Sequence, residues 1–204
     1  MASVVISGDT SGTITLSAPA VAGSNTLSLP AGTGTVVVNG VNGSVVSGTS
    51  VASTSGTSIN FTSIPSWIKR ITVMLNGVST SGSASYLIQI GPSGGIETTG
   101  YDSIAGLITT SNNVTRGQGS TSGYILQGTT GSASYAPSGF ITLVNITGNN
   151  WLASGNLADL NSSGADVSTS AGTKSIAGTL TQVRLTTTNG TDTFDAGSVN
   201  ILYE

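Results

Sequence analysis

The chain has no cysteine and no histidine. The first absence removes disulfides, thiolate metal sites and cysteine nucleophiles. The second removes any Ser–His–Asp triad and any histidine-dependent metal site within this chain. Charge is scarce: 6% of the 204 residues are Asp, Glu, Lys or Arg, against about 25% in an average globular domain. The five cations, Lys69, Arg70, Arg116, Lys174 and Arg184, are scattered, and the net charge is −3, so no basic patch exists to neutralise phosphates. No apolar run approaches the roughly 20 residues of a membrane-spanning helix. The N-terminus, MASVVISGDTSG, has neither the basic stretch nor the apolar core of a secretory signal, and none is expected. Surface helices normally carry Glu, Lys and Arg, so their scarcity argues against helices.

What remains is Ser, Thr, Gly and β-branched apolar residues, a composition of strands and turns. Gly/Ser-rich chains are often disordered. Here the apolar residues fall into short alternating runs that can bury a face, which favours a folded all-β protein. Asp9 is the only charged residue before Lys69. In that front part strands are expected at VVIS (3–7), TITLS (13–17), TLSLP (26–30) and TVVV (35–38), with Pro19 and Pro30 just past two of them. Ile14 and Leu16, then Leu27 and Leu29, alternate with polar residues and so share a face. About 40 residues of this kind cannot bury enough surface alone. Copies of the chain around a threefold axis would supply the missing cover. Residues 40–58 are low in complexity and read as a linker or stalk. Two parts follow: 1–56, an extended attachment or trimerising β-segment with its linker, and 57–204, a β-rich head.

In the head, strands are expected at 58–63, 70–79, 85–91, 124–129, 139–146, 150–156, 178–188 and 198–204, fitting a β-sandwich or jelly roll. Turn signals fall at NG 76–77, GPSGG 91–95, GNN 148–150 and NG 189–190. Ile71, Val73 and Leu75 should face inward, as should Val183 and Leu185. SIPSWIKR (63–70) and LADLNSS (157–163) are the best short helical candidates.

Catalysis on glycans needs two carboxylates about 5–10 Å apart. Glu97 and Asp102 are close in sequence, as are Asp192 and Asp195, yet Asp in such contexts is usually turn chemistry. A Ca²⁺ site at Asp192 and Asp195 is the other reading of that pair. The Gly-rich pieces lack the G-x-x-x-x-G-K-[ST] pattern of a phosphate loop. No cofactor is implied, and no enzyme activity is expected. Aromatics make up 5% of the chain, so each is informative. Trp67 and Trp151 read as packing anchors. Tyr101, Tyr124 and Tyr135, in or near loops, are the candidates for stacking on a sugar ring. Lys69 and Arg70 point to opposite faces of a strand, and one of them is expected to pair with Glu204.

SIPSWIKRITVMLNGVSTSG (63–82), LIQIG (87–91), GGIETTGY (94–101) and the closing FDAGSVNILYE (194–204) resemble a domain common in bacteriophage tail-fibre proteins. TITLSAP…TLSLPAGTGTV in the front part is similar to a segment frequent in phage fibre and other virion proteins. The resemblance implies a homotrimeric, β-rich external component of a virion. The N-terminal segment would contact other virion proteins, and the head would meet a host surface glycan or protein. Phage fibres are often much longer than this chain, which leaves room for a short tip, or for a capsid decoration or head-fibre protein bound to the shell.

Overall fold

In RITVMLNGVST the first seven positions bury every second residue, Ile71, Val73 and Leu75, and the alternation ends at Asn76-Gly77. Ile71, Val73 and Leu75 are at most 3% exposed, while Arg70 and Asn76 are exposed. A period of two puts every second side chain on one face, and that face here lies in a core. The computed structural model describes residues 3–7, 13–17, 45–109, 116–161 and 164–204. The strands expected at 26–30 and 35–38, the prolines 19 and 30, and the first part of the 40–58 linker lie outside these residues.

Residues 1–36 and 37–204 form two separate units. In the first, β1 (Ser3–Ser7) and β2 (Thr13–Ser17) make an antiparallel pair, with Val4 opposite Leu16 and Ile6 opposite Ile14. The second unit contains β3 (Val46–Ser47), β4 (Val51–Ala52), β5 (Ser58–Phe61), β6 (Arg70–Thr80), β7 (Tyr86–Gly91), β8 (Tyr101–Thr109), β9 (Arg116–Ser120) and β10 (Tyr124–Ile125). It continues with β11 (Ser138–Thr147), β12 (Asn150–Asn161), β13 (Gly164–Ser175), β14 (Gln182–Thr187) and β15 (Phe194–Tyr203).

These strands build two antiparallel sheets in a sandwich-like arrangement, and no helix occurs among the described residues. The large sheet runs β3-β15-β6-β11-β12-β13-β8-β9, with β4 also on β15; the small one runs β10-β7-β14-β5. Between them lies one apolar layer. Ile71, Val73, Ile141, Leu143, Trp151 and Ile201 face Ile59, Ile88, Ile90, Val183 and Leu185, all under 5% exposed. Trp67 packs on its margin, 6.4 Å from the Tyr203 ring. Both tryptophans therefore serve packing, as their size requires.

Four sequence expectations are corrected. LADLNSS is not helical: β12 continues through Asn161, with Leu157 buried and Ala158 exposed, because β11 and β13 flank it with ladders on both sides. SIPSWIKR makes a single turn, in which Ile68 N donates to Pro65 O at 3.2 Å. Asn76-Gly77 is no hairpin turn. β6 runs through it where β15 bulges, and Gly77 and Gly197 take φ of 59° and 90°. A Cβ on Gly197 would sit 2.3 Å from Gly77 O, so both strain and space demand glycine there. Finally, residues 45–56 are not a free linker. β3 and β4 pair with β15 and extend the large sheet, and Ser53 is fully buried. Within 57–204 three strands, β8, β9 and β13, were not foreseen; the turn signals at 148–150 and 189–190 do mark turns, the first a hairpin between β11 and β12, the second a crossing from β14 in the small sheet to β15 in the large one.

Residues 45–56 are tied to the head by several bonds. Gly48 N donates to Ile201 O at 2.8 Å, Ser53 N to Gly197 O at 3.0 Å, Ser53 Oγ to Ala196 O at 2.7 Å, and Phe194 N to Gly56 O at 2.8 Å. At about 0.5–1.5 kcal/mol each, the four amount to roughly 2–6 kcal/mol. A chain beginning at residue 57 should therefore unfold in urea with that much less stability than one beginning at residue 45. Equal midpoints would show that the segment adds nothing to the head.

Candidate functional site

The tyrosines proposed for sugar stacking do not form a platform. Tyr101 and Tyr124 are 2% and 0% exposed. They open β8 and β10, but at positions whose side chains point into the core. Their rings meet edge-on, 5.1 Å between centroids at 87°. The Tyr101 hydroxyl accepts from Ile90 N at 2.8 Å and donates to Glu97 O at 3.0 Å; the Tyr124 hydroxyl donates to Trp151 O at 2.9 Å. Rings enclosed on both faces cannot receive a sugar, so that expectation is overturned for these two. Tyr135 is half-buried beside a cavity of about 20 Å³ that also touches Gln127, Asp159, Asp166 and Ser168. That is space for about one water and not for a sugar ring.

The carboxylates fasten loops. Asp192 accepts from Ala84 N at 2.9 Å and from Asn189 Nδ2 at 2.7 Å, and Asp195 accepts from the Ser79 hydroxyl. Glu97 and Asp102 part company: Asp102 is exposed on β8, while Glu97 turns to Lys174 with Oε2–Nζ at 2.5 Å. Glu97 Oε1 also accepts from Ala177 N at 2.7 Å. The Lys174 ammonium, on a residue 6% exposed, lies 5.4 Å from the Tyr101 ring centroid, within range of a cation–π contact. Arg70 pairs with Glu204, as expected, and its backbone N–H donates to Glu204 O at 2.9 Å. Arg184 forks onto Gln89 Oε1 at 2.9 and 2.6 Å.

The register does bring one unforeseen pair of carboxylates together, Asp159 opposite Asp166 across β12 and β13. Asp159 Oδ1 accepts from Ala136 N at 3.3 Å, and its buried Oδ2 has no hydrogen-bond partner among the described residues. No cluster of three Asp, Glu, Cys or His suited to a metal occurs among the described residues.

The largest surface feature is the outer face of the large sheet. Positions that alternate away from the core carry Phe140, Val144, Ile146, Leu152, Val167, Ile104 and Ile108, each 41–60% exposed. The strand registers order them into rows across β11, β12, β13 and β8. One row is Val144–Leu152–Thr173–Asp102, the next Thr142–Ser154–Ala171–Ile104, then Phe140–Asn156–Thr169–Gly106, then Ser138–Ala158–Val167–Ile108. The first two rows line an open groove of about 760 Å³. Asp102 is the single charge in the four rows; beyond them on β6, Arg70 is neutralised by Glu204. Sequence reading recognised the β11 half of this face but missed β8 and β13, and so could not assemble it.

Compared with protein-family models, with curated proteins and with solved structures, the chain matches none.

Two predictions concern the buried polar groups. Burial alone would raise the Glu97 carboxyl, but the Ala177 N–H and Lys174 outweigh it and hold it below its ordinary 4.5. A depressed carboxyl stabilises the fold above its unfolded value and loses that contribution as pH falls through the folded one. Glu97→Gln should therefore flatten the stability–pH curve below about pH 4.5. Lys174→Met, which strands a partly buried carboxylate, should cost roughly 1–3 kcal/mol, and Lys174→Met/Glu97→Gln together less than the sum of those two singles. Additive losses in denaturant melts would count against the pairing.

Burial pushes the Tyr86 phenol up to about 12, with Asp195 adding to the rise, and burial likewise raises Tyr101 and Tyr124. A raised phenol favours the folded state below the ordinary value of 10, and this is lost as pH climbs through the folded value. Absorbance titration at pH 11 should find Tyr86, Tyr101 and Tyr124 still protonated in the folded protein but ionised after denaturation. Ionisation of all three without unfolding would contradict their enclosure.

Proposed function

We propose that this chain is a non-enzymatic structural component of a bacteriophage virion: a homotrimeric tail-fibre or tip protein that takes part in attachment to the host surface. The observation that carries this reading is the outer face of the large sheet, which is almost uncharged and sets Phe140, Val144, Leu152, Ile104, Ile108 and Val167, each 41–60% exposed, among Ser, Thr and Asn. Contiguous exposed apolar patches beyond a few hundred Å² are rare on monomers and mark surfaces that other molecules cover. The sequence resemblance supplies the kind of particle. Within the head, the carboxylates and cations hold loops to sheets, which supports an architectural role over a chemical one.

In this reading the front segment attaches the chain to other virion proteins, and the head is presented outward. Three linked heads would convert a weak contact with a surface glycan or protein into a firm one, because the second and third contacts form at high effective concentration. The receptor contact belongs to loops other than those occupied by Tyr101 and Tyr124.

Antibody raised against residues 57–204 should decorate the tail or its fibres when particles of the encoding phage are viewed by immunogold electron microscopy. Purified head should also slow adsorption of the phage to its host. Label over the capsid would replace attachment with decoration of the shell, and absence of label from every particle would defeat the virion reading.

A further inference from the structure

We infer that the outer face of β11, β12, β13 and β8 is where one head packs against a second copy of this chain. This names the partner of the assembly surface and rests on the homotrimer reading above. It adds what that reading leaves open, namely which surface meets the neighbour.

Three features select a second copy as the occupant. The first is charge. A partner evolved to meet a charged face needs complementary charge, but here the four rows hold only Asp102 among Ser, Thr, Asn, Gly, Ala and large apolar side chains. A face almost without charge sets few like charges against whatever part of a neighbouring copy it meets, so three copies can turn it toward a shared threefold axis through heterologous contacts. Nucleic acid and anionic lipid headgroups would find no cation there.

The second feature is relief. Val144, Leu152 and Ile104 rim a groove floored by the small residues Ser154, Ala171 and Gly172. Large side chains at a rim and small ones on a floor let ridges on one copy enter the groove of another, which is how packed interfaces reach interior density.

The third is size. The four strands at about 4.8 Å spacing and eight residues at about 3.4 Å rise cover about 19 Å by 27 Å, or roughly 520 Å² in plan. Stable interfaces bury about 800 Å² of accessible surface per partner, and a side-chain-covered surface has more accessible area than its plan, so this face supplies most of one such contact.

The absence of native cysteine gives a direct test on the full chain. Single cysteines are introduced by Leu152→Cys and Ile104→Cys on the face and by Thr188→Cys as an exposed control at the β14–β15 turn. All three positions are exposed in the isolated chain, so folding should survive. Each variant is sized by sedimentation velocity over a range of concentrations, and its reaction with an aromatic disulfide reagent is followed by absorbance. The expected result is an oligomer in which the thiols at 152 and 104 react at least about tenfold more slowly than the thiol at 188, because access governs thiol reactivity. An oligomer whose face thiols react as fast as the control overturns the inference and leaves the homotrimer reading standing, since the copies then meet elsewhere. A monomer at all concentrations overturns both. If its face thiols are nonetheless protected, the chain covers its own face.

Discussion

The head depends on a single apolar layer between two sheets, and β6 is its centre. Ile71, Val73 and Leu75 face the small sheet, while the β6 backbone holds β11 on one side and β15 on the other. Burying an aliphatic side chain contributes roughly 1.5–3 kcal/mol, and with 5% aromatics the protein has few larger rings to bury. The layer is therefore built from Ile, Leu and Val at alternate strand positions. Each strand that joins must keep its parity, because a one-residue slip would turn every inward side chain outward. Around Gly77 and Gly197 both strands change parity together: the buried positions pass from Leu75 to Val78 on β6 and from Val199 to Phe194 on β15, so each side of the bulge still faces the core.

With so few charges, several of those described are placed where they fasten something. Glu97 and Lys174 join the β7–β8 loop to β13, and the Ala177 amide draws in the chain after β13. Arg70 and Glu204 tie the C-terminus to the start of β6, and Asp192 closes the β14–β15 turn over Ala84. Partly sheltered pairs such as Glu97–Lys174 gain from hydrogen bonding on both partners, whereas the exposed Arg70–Glu204 pair is more screened and contributes less. With no His and few carboxylates, little charge changes near neutral pH.

The same economy leaves the outer face of the large sheet apolar. An antiparallel sheet normally shows polar residues to water on one side. Here Thr and Ser fill part of that side, but Phe140, Val144, Leu152, Ile104, Ile108 and Val167 interrupt them in adjoining rows. The architecture thus has two hydrophobic surfaces, one satisfied inside the sandwich and one offered outward. That pairing of a chemically quiet interior with an adhesive exterior is the physical basis for reading the protein as a building part.

The all-β class, the inward faces of β6 and β14, the turns at 148–149 and 188–190 and the Arg70–Glu204 pairing were legible in the sequence, because each rests on local chemistry: a period of two, a turn dipeptide, a charge beside a strand start. What escaped it has no local signal. In GADVSTSAGTKS of β13, the inward positions are Ser168, Ser170, Gly172 and Lys174, so hydrophobicity does not alternate; ladders to β12 and β8 make it a strand. YDSIAGLIT of β8 is apolar on both faces, which erases the alternation in the other direction. Val46–Ser47 and Val51–Ala52 resemble linker until β15 pairs with them. Tyr101 and Tyr124 sit beside loops in sequence, and only strand parity and the opposing sheet decide that they point inward. The sequence by itself determined strand character and a shortage of charge, since both follow from residue type. Which strands neighbour one another, which face is buried, and which apolar residues remain outside were decided by tertiary structure, because pairing and layer contact join residues tens of positions apart.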